Sequence, residues 1–104
     1  MIALSATVSS RNSLGVLHLL EQCLRRHFTS IRVYDDSLII RVPHVGRVLI
    51  TENLTTMRLD FVVTDPAAAE TAMAALEQQL HAQVSNQGLD FSWDRPDTIP
   101  VALR

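Results

Sequence analysis

Cys23 and His27 stand four residues apart, a spacing that on a helix stacks two side chains on one face. A thiol beside an imidazole has two chemical uses, a thiolate activated by its base or a pair of metal ligands. A structural zinc site needs four ligands, and the chain has a single cysteine and no Cys-x-x-Cys pair. His18, His44, His81 or carboxylates would have to complete the set, and by helix angle His18 points nearly away from His27. Both residues also fall within an apolar stripe, so they read as packing side chains, with no metal and no cofactor expected. A Cys-dependent enzyme at Cys23 and His27 is kept as a third reading, since a nucleophilic thiol wants exposure and positive surroundings.

The other reactive residue types are weaker leads. His44 lies in the loop Pro43-His44-Val45-Gly46 and reads as a solvent-exposed histidine. His81 follows Glu77 by one helical turn, which predicts a surface pair. Asp35 and Asp36 are adjacent in a turn, where their carboxylates diverge, so they form the turn rather than an acid–base couple. Trp93 reads as a core plug, because a nucleic-acid-binding sheet would show several aromatics on its open face. No glycine-rich phosphate loop, serine elbow or His-Glu-x-x-His pattern is present. All the basic residues are arginine, which removes Schiff-base and phosphate-loop lysine chemistry.

Composition narrows the partners. The 104 residues, 47% hydrophobic and 19% charged, suit one globular domain. A formal charge of -2 gives no global attraction for nucleic acid or an anionic membrane. The amino-terminal stretch lacks the basic flank and apolar run of a signal peptide, and no segment has membrane-spanning length. With one cysteine the fold needs no oxidising compartment, and the expected location is cytoplasmic.

Hydrophobic periodicity then gives the elements. Ile2, Leu4, Ala6 and Val8 alternate as a strand. Capping residues in Ser9–Ser13 precede a helical stripe from Val16 to Phe28 that ends on Arg25, Arg26 and His27, basic residues at the carbonyl end. Ile31 to Val42, around the acidic turn, reads as a hairpin closed by Pro43, and Arg47–Thr51 as the next strand. Met57, Leu59, Phe61 and Val63 give the clearest alternation. Asp65-Pro66 starts a second helix with an Ala-rich stripe, Asn86-Gln87-Gly88 stops it, and Leu89, Phe91 and Trp93 form a last strand. Residues 96–104, with two prolines nearby and no period, are expected to be extended tail beyond a single domain at 1–95.

The order β-α-β-β-β-β-α-β predicts an α+β two-layer sandwich, its sheet antiparallel or mixed, with both helices on one face. It is a relative of the ferredoxin-like plan with an inserted hairpin. Strict alternation turns Ile31 and Val33 inward, and turns Arg32, Tyr34, Arg41, Arg47, Leu49 and Arg58 outward, with Ile39, Asp60 and Val62. A face mixing arginines with apolar residues suits a homodimer or protein partner, since arginine and tyrosine are enriched at interface centres. The runner-up is an anionic small molecule held by Arg32, Arg41, Arg47 and Arg58.

Several local phrases are similar to the bacterial family catalogued as domain of unknown function 2218. They are Ala6-Thr7-Val8, the helix ending Arg26-His27-Phe28, Pro43-His44-Val45-Gly46-Arg47, Leu59-Asp60-Phe61, the Asp65 helix with Leu76 and Leu80, and Phe91-Ser92-Trp93. The resemblance spans about residues 3–95 and implies a small stand-alone module without an assigned activity. It further implies an accessory role associated with siderophore-interacting, flavin-dependent reductases. The family's late His-Leu pair is displaced here to Gln79-Leu80-His81.

Overall fold

Leu4, Ala6 and Val8 alternate with small and polar residues, so β1 (Ile2–Ser10) has one greasy side. The elements that follow are α1 (Gly15–His27), β2 (Ser30–Tyr34), β3 (Ser37–Val42), β4 (Gly46–Glu52), β5 (Met57–Val63), α2 (Pro66–Gln83) and β6 (Leu89–Asp94). A 3-10 turn at Val101–Leu103 ends the chain. This computed structural model describes residues 1–11, 15–53, 55–84 and 88–104. The expected caps at Asn12 and Ser13 and the stop signal at Asn86-Gln87 lie outside them.

The six strands form one sheet in the order β2-β3-β4-β5-β1-β6, and every pairing is antiparallel. β5, α2 and β6 therefore make a split βαβ unit in which β1 lies between two strands that run the same way. β1, α1 and β4 make a second such unit around β5, with the β2–β3 hairpin inserted after α1. That is the ferredoxin-like plan enlarged by one hairpin.

Both helices pack against each other and against β1 on the same side of the sheet. Leu20 and Leu24 of α1 and Leu76 and Leu80 of α2 are fully buried beneath Leu4, Ala6, Ile40, Ile50, Leu59 and Phe61. α2 starts as its residues dictate: Asp65 Oδ1 accepts from the Ala68 N–H at 2.8 Å, and Pro66 takes the first helical position. Its stripe is thin, with Ala69 and Ala72 buried, so the helix can lie close to the sheet. Trp93 fills the edge of this core, its ring 5.9 Å from Phe61 in a T-shaped contact, and its Nε1 donates to Glu77 at 2.7 Å.

Three expectations need correction. Glu21 is buried on α1, whereas His27 is exposed and Cys23 only half-buried, so the stripe is rotated from the one the apolar spacing suggests. His81 does not pair with Glu77: the carboxylate takes Trp93, and the imidazole packs 5.4 Å from the ring of Phe91. On β2, Ile31 sits opposite Ile39 and Arg32 opposite Leu38, which puts Ile31 on the open face and Arg32 on the helix side. Tyr34 then pairs with Ser37, so Val33 is an extra residue, a bulge that returns Tyr34 to the open face. β2 is an edge strand with little burial, and its alternation reports no core.

Candidate interaction surface on the open sheet face

The face opposite the helices carries the odd residues of β1, β3 and β4 and the even residues of β5, as the register requires. Its two halves differ. Toward the start of β4 it is met by the chain that leaves β6, whose 3-10 turn packs against β4. Ala3, Leu49 and Leu103 are buried but do not belong to the helix-side core. Arg47 fastens the tail by donating from Nη2 to the Leu103 carbonyl at 3.4 Å, and Arg104 Nε donates to the Ile99 carbonyl at 2.9 Å.

Two of the residues that the sequence turns outward are engaged within the protein itself. Leu49 does face this side, but at 6% exposure it offers a partner nothing. Arg58 lies on the same side, and its Nε donates to both carboxylate oxygens of Asp60 at 3.2 and 3.1 Å. Asp60 is buried and Arg58 half-exposed. That guanidinium is therefore the counter-ion of an aspartate that would otherwise be a desolvated charge.

The outer half, over β2 and β3, is open, and Arg47 at its border is still exposed. Ile31 is 68% and Tyr34 53% exposed there. Ile39 lies between them and Leu49 in register, half-buried. Arg41 and Arg47 are directly opposite each other across β3 and β4. Like charges so placed are unfavourable, with Cβ atoms about 4.5–5.5 Å apart. No acidic side chain pairs with either among the described residues. Of the six outward candidates, Tyr34, Arg41 and Arg47 thus share an exposed surface. Leu49 and Arg58 are committed internally, and Arg32 lies on the other side, donating to the Asp35 carbonyl at 2.9 Å.

The catalytic and metal leads do not assemble. No hydrogen bond joins the half-buried Cys23 to the exposed His27 among the described residues. His44 is exposed in the β3–β4 turn with φ of 67°, a left-handed position that the turn requires of it. One grouping escapes sequence reasoning: His18, Glu21 and Glu52 bring ligand atoms within 4.8 Å of one another. The i,i+3 spacing of His18 and Glu21 was the only signal, because Glu52 arrives from the end of β4. Glu21 already pairs with Arg25 at 3.4 Å, and His18 Nε2 lies 3.2 Å from the Gln22 amide nitrogen. No family model and no curated protein matches this sequence.

Proposed function

We propose that this protein is an accessory interaction module, without catalysis of its own, that docks a second copy of itself on the outer half of its open sheet face. The observation that carries this reading is the Arg41–Arg47 pair, set beside exposed Ile31 and Tyr34 and without an acidic partner among the described residues. Tyrosine, arginine and a greasy centre are the composition of an interface core. Self-complementarity supports a second copy over a foreign surface. Asp35 and Asp36 form the turn at one end of the hairpin, Arg41 and Arg47 lie at the other, and the Ile31–Ile39 pair is between them. A two-fold axis through that pair would lay each acidic turn over the other copy's arginines, as isologous contacts require. The resemblance described above would set such a module in iron–siderophore utilisation.

Sedimentation equilibrium tests the reading. The wild type should show a mass near twice 11.6 kDa. Ile31→Asp or Arg41→Glu should shift it to the monomer, with unchanged circular dichroism. A charge swap, Arg41→Asp and Arg47→Asp with Asp35→Arg and Asp36→Arg, should restore the dimer. A wild type that stays monomeric at high concentration sinks the proposal and leaves a carrier of a small anion at Arg41 and Arg47 as the reading in its place.

A further inference from the structure

Where the tail rejoins the sheet, it leaves a cleft of about 330 Å³ between the end of β5, the start of β4 and the last residues of the chain. Met1, Val45, Val62, Val63, Ile99 and Leu103 make its apolar lining. Arg47, Arg104 and Thr64 are its polar residues, and no acidic side chain lines it among the described residues. This combination of greasy walls and two guanidinium groups, with no acidic side chain among the described lining residues, is the complement of an amphipathic anion.

We infer that this cleft is a binding site for a medium-sized apolar monocarboxylate. Each guanidinium carries five N–H donors and gives one to a tail carbonyl, Arg47 to Leu103 and Arg104 to Ile99. The remaining donors suit the two oxygens of one carboxylate. At about 30 Å³ per water-sized atom the space holds on the order of ten heavy atoms, which is the size of octanoate. An inorganic anion would meet the arginines and leave the apolar walls wet, and an alcohol of equal length would fill the walls and leave the charges unmet. Arg47 is shared with the exposed patch, but the cleft is otherwise separate, and its occupancy is read independently of the particle's mass.

Amide chemical shifts of the isotope-labelled protein provide the test, with octanoate, octanol and inorganic phosphate as probes. Octanoate should perturb residues 45–47, 62–64 and 99–104 and saturate with a Kd on the order of 1 mM, a modest affinity for so small a ligand. Octanol and phosphate should each bind at least tenfold more weakly. Arg104→Gln should cost octanoate about tenfold and leave octanol unchanged. Arg47→Gln also removes a bond to the tail, so Val62→Phe is the companion variant: it fills the cleft and should abolish the response while the tail amides keep their positions. Octanol or phosphate binding as tightly as octanoate would overturn the inference. So would perturbations mapping elsewhere, or a response that Val62→Phe leaves intact.

Discussion

Single side chains decide more here by what they satisfy than by what they could react with. Asp60 shows the logic: a carboxylate at 3% exposure on a face that meets water elsewhere is paired with Arg58, which reaches both its oxygens. The arginine that the sequence offers to a ligand is thereby already occupied. Asp65 works at the start of α2 in a similar way, taking one of the N–H groups that a helix leaves free. Replacing it with alanine should cost about 1 kcal/mol, as removal of such a cap usually does. Urea denaturation checks this, and a midpoint equal to that of the wild type would show that Pro66 and packing hold the helix start unaided.

Among the elements, the tail shows most clearly what a pattern of residues can and cannot disclose. Residues 96–104 have no periodicity, so nothing in them announces a strand or helix, yet Leu103 is 7% exposed against the sheet. Burying a leucine contributes about 1.5–3 kcal/mol before the cost of ordering the chain. Deleting 96–104 should therefore lower stability by about 1–2 kcal/mol and expose Leu49 and Ala3 to water. Increased binding of a hydrophobic dye together with a lower Tm would show it, and a truncated protein as stable as the full chain would count against the packing described. The strands with a buried face, β1, β3, β4, β5 and β6, were legible because period-two alternation is the direct image of one-sided burial. β2 was legible as a strand but not in its facing: at an exposed edge Ile31 and Arg32 had little burial to record, and the extra Val33 shifts the count by one. Arg41 and Arg47 were correctly turned outward, while the loss of Leu49 and Arg58 to internal contacts depends on neighbours distant in sequence.

Across the whole molecule, cohesion is graded from the middle of the sheet to its rim. β1 and β5 are each paired on both sides, β1 packs against both helices and β5 against α2, while β2 has one partner and little burial. Native-state hydrogen exchange should follow this gradient, slowest in β1 and β5 and fastest in β2. Amides of Ser30–Tyr34 exchanging as slowly as those of Met57–Val63 in the monomer would contradict it. The site proposed for a second copy thus lies on the least anchored strand, where docking would order what the single chain leaves loose. The bulge at Val33 bears on this arrangement, since a kinked rim cannot accept another strand in continuous register. Growth by adding strand after strand is disfavoured at this rim, and the proposed docking of a second copy uses side-chain surfaces instead, which come in pairs and then stop.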